Sequence, residues 1–367
     1  MNSVETKADP QPDTETPPPD LRQRLSAAVH ESLRRAWRGE NSGVLILVVV
    51  ITIGAFAIAL RDTTYLSTDN LLSVVEQTTP ITIMAIATVF VISVGELDLS
   101  FASVVPVSAY IAALLMRDGT PFILAAAAAL GFGLAVGFVN GIVTVGFRIP
   151  SFVVTLGTMG IVAGLSERIT NSQAVQVSNE HFLNVFGQGH VAGISTLIVW
   201  TVVVVVVAHV VLAFTPAGRA LLASGANANA ARFSGIRTSR MKVGALMASG
   251  LAGAAAGLLY AGQFGAATYT LGTSDLLTAI AAAIIGGTVL AGGKGSVIGA
   301  LVGSLLIGIL NNGLIILGLA DPEQLMARGV IIIAAVVFSA RAATRATGGS
   351  PRGVFARLRR RGAPAPG

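Results

Sequence analysis

Thr215-Pro-Ala-Gly-Arg219-Ala-Leu-Leu-Ala-Ser-Gly225-Ala-Asn-Ala-Asn-Ala-Ala-Arg232-Phe-Ser-Gly235-Ile-Arg237-Thr-Ser-Arg240-Met-Lys242 is a polar stretch between two long apolar runs. It holds Arg219, Arg232, Arg237, Arg240 and Lys242 and no acidic residue. The flanking runs, near 194–213 and 243–262, each have about the 20 apolar residues a bilayer crossing needs. A basic connection between two spans marks the cytoplasmic side. This stretch therefore orients the chain, and it is also the handle a soluble partner would use.

Composition outside the loop agrees with a membrane protein. Of the 367 residues, 53% are hydrophobic and 11% charged, against roughly 25% charged in soluble domains. Forty-two glycines suit helices that approach closely in lipid. The chain has no cysteine, which excludes a disulfide framework, a thiolate zinc site and a cysteine nucleophile. The net charge of +6 is distributed as an orientation signal, so no nucleic-acid partner is expected.

Apolar runs place spans near 43–60, 75–94, 101–116, 121–146, 151–166, 194–213, 243–262, 276–291, 296–318 and 325–340. The expected fold is an all-α membrane protein, a polytopic helical bundle of about ten transmembrane helices. The start of the second span is blurred by Glu76-Gln77-Thr78-Thr79-Pro80. An even number of spans puts both termini on one side. With that side cytoplasmic, 20 of the 24 Lys and Arg residues fall inside. Arg61, Arg117 and Arg168 fall outside, and Arg328 lies near the start of the last span. Residues 1–40 read as a largely disordered cytoplasmic tail, with a short basic amphipathic helix over 21–40 lying on membrane lipid. No apolar core precedes Gly43, so no cleavable signal peptide is expected. Residues 41–341 form the transmembrane domain and 342–367 a basic cytoplasmic tail.

Gly137-Phe-Val-Asn140-Gly141-Ile142 and Gly308-Ile-Leu-Asn311-Asn312-Gly313-Leu314 lie five spans apart. That is the pattern of an inverted-topology repeat; chance recurrence in a Gly-rich chain is the competing reading. No HExxH, GxSxG or Walker A motif is present. The lookalike Gly287-Thr-Val-Leu-Ala-Gly292-Gly293-Lys294-Gly295 misses the phosphate-loop spacing, and Gly295 follows the lysine where Ser or Thr is required. No catalytic residue, cofactor or metal follows from the sequence. If transport is active, its energy comes from an ion gradient or from another chain.

Glu96, Asp98 and Ser100 in Gly95-Glu-Leu-Asp-Leu-Ser100 sit between two apolar runs. Asp98 or Ser100 would cap the helix beginning near Phe101, and the break would line a pathway as a discontinuous segment; the two readings are compatible. Polar residues near or within spans are Gln77, Thr78, Thr79, Asn140, Tyr260, Gln263, Asn311 and Asn312. They suit an uncharged polyhydroxylated ligand, or simply bond between helices. Residues 220–233 read as one short helix ended by Gly235.

Gly95-Glu-Leu-Asp-Leu-Ser100 resembles an element of the permease subunits of bacterial ABC importers for monosaccharides, the ribose-type branch. Gly218-Arg219, then Gly225-x-Asn227-x-x-Ala230-Ala231-x-x-Ser234-Gly235-Ile236, resembles their cytoplasmic coupling segment. Gly286-Gly287-Thr288-x-Leu290-x-Gly292-Gly293-Lys294-Gly295 and Gly308-x-Leu310-Asn311-Asn312-Gly313-Leu314 are similar to their C-terminal signature. The likeness runs over roughly 70–340. Phe101-Ala102-Ser103 departs from the Val-Gly-Ser usual there. The resemblance implies a non-enzymatic permease in the bacterial plasma membrane, with a second permease copy or paralogue. It also implies an ATPase with two nucleotide-binding modules and an extracytoplasmic sugar-binding protein. The coupling segment and Glu96, Asp98, Ser100, Asn140, Asn311 and Asn312 are its expected working parts. A permease for branched-chain amino acids or nucleosides, a gradient-driven transporter and a passive membrane protein are the rival readings.

Overall fold

The structure, a computed structural model, describes residues 65, 67–320, 322–327, 329, 330, 333 and 337. The span expected at 43–60, most of that at 325–340 and both expected tails lie outside them. The helices run α1 (Thr68–Ser93), α2 (Phe101–Arg117), α3 (Phe122–Phe147), α4 (Ser151–Thr170), α5 (Glu180–Phe186) and α6 (Thr196–Phe214). They continue as α7 (Pro216–Ala226), α8 (Ala228–Phe233), α9 (Thr238–Phe264), α10 (Asp275–Ile285) and α11 (Val297–Ile316).

Among the described residues six helices, α1, α3, α4, α6, α9 and α11, are long and apolar enough to cross a membrane. α1 has 26 residues, about 39 Å at 1.5 Å per residue, against a hydrocarbon core of about 30 Å. α2 and α10 are apolar but shorter, with 17 and 11 residues. The run expected at 276–291 is helical only to Ile285; Gly286–Ser296 forms a turn with positive φ at Gly287, Gly292 and Gly293. α1 begins earlier than its apolar run suggests. Ser67 caps it by accepting from the Asn70 N–H at 3.2 Å, and Pro80 sits inside the helix.

Polarity is arranged for lipid. Val202, Val203, Val206, Val207 and Val210 of α6 and Phe152, Leu156, Ile161 and Leu165 of α4 are exposed. Hydroxyls point inward instead, where no solvent would satisfy them. Thr79 and Thr201 share a hydrogen bond of 2.7 Å, as do Thr82 and Ser304.

The centre is α9, flanked by α3 and α2. α3 and α9 run antiparallel, with Gly133 against Gly250, Gly137 against Leu246 and Met247, and Gly141 against Val243. A Cβ on Gly137 would lie 2.7 Å from Met247 Cα, and one on Gly141 2.8 Å from Val243 Cα. Without those methyls the backbones touch, which replaces the hydrophobic force that lipid removes.

The helices alternate between two ends. One holds α7 and α8 with the cations of 215–242 and is called the basic end. At the far end β1 (Val175–Gln176) pairs antiparallel with β4 (Ala266–Ala267), and β2 (His190–Val191) with β3 (Ile194–Ser195). α5, within a stretch that carries no span, packs there. Asn179 caps it at 3.0 Å, Phe182 is fully buried, and Phe186 stacks on Trp200 at 5.9 Å.

Candidate functional site

The basic loop folds into two short helices, not the single one expected over 220–233. Pro216 opens α7, with Thr215 accepting from the Gly218 N–H at 3.1 Å. Gly218 is buried where a Cβ would strike the carbonyls of Val211 and Leu212, so the chain can turn sharply off α6. Asn227, with φ −158, stops α7 and caps α8 by accepting from the N–H groups of Asn229 and Ala230 at 3.1 and 3.0 Å. At the other end of α8 the Ile236 N–H reaches back to the Ala231 carbonyl at 2.9 Å while Gly235 adopts φ +82. That closure is the glycine-ended helix stop.

The two helices present different faces. Ala231 is buried; Ala230, Arg232, Phe233, Ser234 and Gly235 are exposed. Phe233 is 93% exposed, and Arg219, Arg237 and Arg240 lie open on the same loop. An open cleft runs along Arg232 and 235–240. α7 is the inward element: Leu221 and Ser224 are buried, and Gly225 in its last turn enters a junction of backbones.

That junction joins the three quoted motifs. A Cβ on Gly225 would collide with the Ser93 carbonyl and lie 2.7 Å from the Gly293 nitrogen. The Gly293 N–H donates to the Ser93 carbonyl at 2.9 Å. A Cβ on Gly292 would lie 3.0 Å from the Gly225 carbonyl and 3.1 Å from Gly95 Cα. Gly293, at φ +81, is equally closed in, with Ala226 Cα 2.7 Å from where a Cβ would stand. The end of α1, the last turn of α7 and the α10–α11 turn thus meet backbone to backbone.

From the junction the break at 95–100 runs inward. Lys242 forms an ion pair with Glu96, whose side chain is 8% exposed. Leu97 N–H donates to Ser151 Oγ at 2.9 Å and Leu99 N–H to Thr155 Oγ1 at 3.1 Å. Asp98 Oδ1 accepts from Ser100 N at 2.8 Å and Ser100 Oγ at 2.6 Å. Asn140 Nδ2 donates to Ser100 Oγ at 2.8 Å, and Thr158 Oγ1 donates to Asn140 Oδ1 at 2.6 Å. Ser100 occupies the N-cap position of α2 but makes no side-chain cap; its hydroxyl is spent on Asp98 instead. A buried polar group left unmatched costs about 1–3 kcal/mol, so this chain of bonds pins an irregular backbone within the bundle.

The expected pathway residues therefore fall into two groups. Glu96, Asp98, Ser100 and Asn140 form the first. Asn311 and Asn312 lie near the far end of α11 and do not join it. Asn312 makes a reciprocal amide pair with Asn70 at 2.9 and 3.0 Å. Asn311 Oδ1 is buried with no partner among the described residues. Not among the residues expected from sequence are Ser151 and Thr155, which bond the break, and Thr158, which bonds Asn140. Their spacing on one face of α4, with Val162 and Ser166 also buried, was the available signal. Among the described residues no three His, Cys, Asp or Glu side chains group as metal ligands.

Membrane-crossing helices, a hydrogen-bonded break inside them and a structured basic loop at one end define a polytopic membrane permease. The chain belongs to the family described as the permease component of the branched-chain amino acid transport system, whose model matches residues 70–336. It is 33% identical over 306 residues to the ribose import permease protein of Escherichia coli K12, covering 83% of this chain and 94% of that one. It is 31% identical over 330 residues to the L-arabinose ABC transporter permease protein of Azospirillum brasilense, covering 89% and 95%. To the D-allose transport system permease protein of E. coli K12 it is 31% identical over 301 residues, covering 82% and 91%. No solved structure matches it.

Proposed function

We propose that the chain is the transmembrane subunit of an ATP-driven importer that passes a monosaccharide or related polyol across the bacterial inner membrane. The observation that carries this is the basic-end junction. The helix α8, exposed at Ala230, Arg232 and Phe233, is continuous with α7, which abuts both breaks in the helical frame. Permeases whose names give ribose, arabinose and allose are similar to this chain over most of its length; they favour a sugar over a branched-chain amino acid.

In this reading the basic end faces the cytoplasm, with both termini on that side, and binds a separate ATPase with two nucleotide-binding modules. Gly218, Arg219, Gly225, Asn227, Ala230, Ala231, Ser234, Gly235 and Ile236 form the coupling segment. The sugar arrives on an extracytoplasmic binding protein at the far end, and a second permease copy or paralogue completes the path. Glu96, Asp98, Ser100, Asn140, Asn311 and Asn312 border that path. About ten spans related by an inverted repeat are consistent with Asn140 near the basic end of α3 and Asn311 near the far end of α11.

Reconstitution in vesicles tests the reading. Labelled D-ribose, L-arabinose and D-allose are offered with and without the ATPase chain and binding protein. Uptake that needs both chains and ATP is expected. Accumulation by this chain alone, driven by an ion gradient, would refute it.

A further inference from the structure

We infer that the β2–β3 hairpin at the far end is a lipid anchor, with Val191 and Ile194 seated in the interfacial layer of the membrane, against acyl chains just below the phospholipid headgroups. The inference needs only that α6 crosses a bilayer, so it stands or falls apart from the transport reading.

The two strands meet through a tight turn in which Ala192 has φ +51 and Gly193 φ +81. Positive φ at both central residues is the type I′ turn, whose twist matches that of the strands. Val191 and Ile194 are partners across the ladder, so their side chains share one face. That face is open, with Val191 56% and Ile194 51% exposed, whereas Ser195 next to it is buried. The base of the hairpin is fastened. Thr196 donates to the Gly189 carbonyl through its N–H at 2.9 Å and through its hydroxyl at 3.2 Å. Gly189 itself lies against Asn184 of α5, where a Cβ would collide with the backbone. From Gly187 to Leu197 there is no Asp, Glu, Lys or Arg. Two aliphatic side chains fixed outward on a rigid, uncharged hairpin call for an apolar partner.

The length of α6 says which partner. Ser195 leads directly into α6, which has 19 residues, about 28 Å at 1.5 Å per residue, against a hydrocarbon core of about 30 Å. Every residue of α6 is needed to cross, and a tilt only sharpens the shortage. Thr196 therefore lies at the edge of the hydrocarbon, and Ile194 is two residues beyond it. Even pointing straight outward, two residues of strand reach about 7 Å, within the interfacial layer of about 5–8 Å on each side. The hairpin thus continues a helix whose Val202, Val203, Val206 and Val207 are open to lipid. Trp200, one turn into α6, is of the residue type enriched at this level. Its Nε1 donates to the Val185 carbonyl of α5 at 2.9 Å, which ties the far-end helix to the same depth.

The chain has no cysteine, so single cysteines can be introduced in the full-length protein and labelled with a nitroxide. Val191→Cys and Ile194→Cys are reconstituted separately in vesicles of phosphatidylcholine and phosphatidylglycerol. Paramagnetic resonance then compares collision with oxygen, which concentrates in lipid, and with a water-soluble nickel chelate. Val206→Cys on α6 is the bilayer reference and Asn229→Cys on α8 the aqueous one. At 191 and 194 the ratio of oxygen to nickel accessibility should exceed that of Asn229→Cys at least threefold. It should stay unchanged when the ATPase chain and binding protein are added. If neither label accumulates, Ala192→Cys in the exposed turn decides by the same ratio. A ratio equal to that of Asn229→Cys overturns the inference. Shielding from both reagents also overturns it, whether present in the permease alone or acquired only with the binding protein, because the face then belongs to a protein.

Discussion

Gly137→Ala tests whether backbone contact between α3 and α9 holds the bundle. The new Cβ would stand 2.7 Å from Met247 Cα, with the Leu246 carbonyl closer still. Carbon atoms settle at about 3.5–4.0 Å, so the helices must part by about 1 Å at that level. Overpacking typically costs about 1–3 kcal/mol. Alanine's better helix propensity returns up to about 1 kcal/mol, leaving a net loss of about 1–2 kcal/mol. At about 2–4 °C per kcal/mol for a chain of this order of size, the midpoint of thermal unfolding should fall by about 4 °C. The assay is loss of the monodisperse peak of detergent-purified protein on heating. Gly141→Ala, one turn along α3, should cost a similar amount. The double variant should lose less than the sum, because one separation relieves both collisions. Gly244→Ala, on α9 but facing open space, should gain about 0.5–1 kcal/mol. If Gly137→Ala is as stable as Gly244→Ala, or the double variant is strictly additive, the interface is not backbone-limited.

The two adjacent asparagines of α11 should separate in behaviour. Asn312→Leu breaks the amide pair with Asn70 and should lower stability by about 1–3 kcal/mol. Asn311→Leu should lower uptake more than abundance, and an equal fall in both would make Asn311 structural. Phe233→Ala should leave abundance unchanged while reducing the ATPase chain recovered on co-purification by several-fold; unchanged recovery would remove Phe233 from the docking face. Gly295→Ala would press on Ser93 Oγ and lie 2.7 Å from Val89 Cγ1. Its thermal midpoint should drop, and Ser93→Ala in the same chain should restore part of it.

Much of the architecture was legible because lipid imposes simple rules. Apolar length located α1–α4, α6 and α9–α11, and the cations of 215–242 marked one end. The rules failed where backbone, not side chain, decides. Apolar residues continue past Ile285, so length alone ran the expected span on to 291, whereas Gly286, Gly287, Gly292 and Gly293 turn the chain. Glu76–Pro80 blurred the start of the second expected span, yet α1 begins at Thr68 and passes straight through them, with the Thr78 hydroxyl bonded to its own helix and that of Thr79 to Thr201. Asn227 carried the clue to two short helices, as a capping residue inside an apparent helix. The 95–100 break was visible as a polar island, but its partners on α4 were not sought. No spacing rule could show that Gly95, Gly225 and Gly293 would meet, since they lie far apart in the chain and touch through main-chain atoms.

The distance in sequence between Ser93 and Gly293, which share a hydrogen bond, bears on how the protein is made. At about 5–20 residues per second, Gly293 is synthesised about 10–40 s after Ser93. For that interval α1 is made but uncovered, with Thr82 awaiting Ser304 and Asn70 awaiting Asn312. A nascent chain must therefore hold α1 without its partners on α11 until α10 and α11 emerge. Premature termination before residue 297 would leave that helix permanently without its cover. Such fragments should be marked for membrane proteolysis, not left as stable partial bundles.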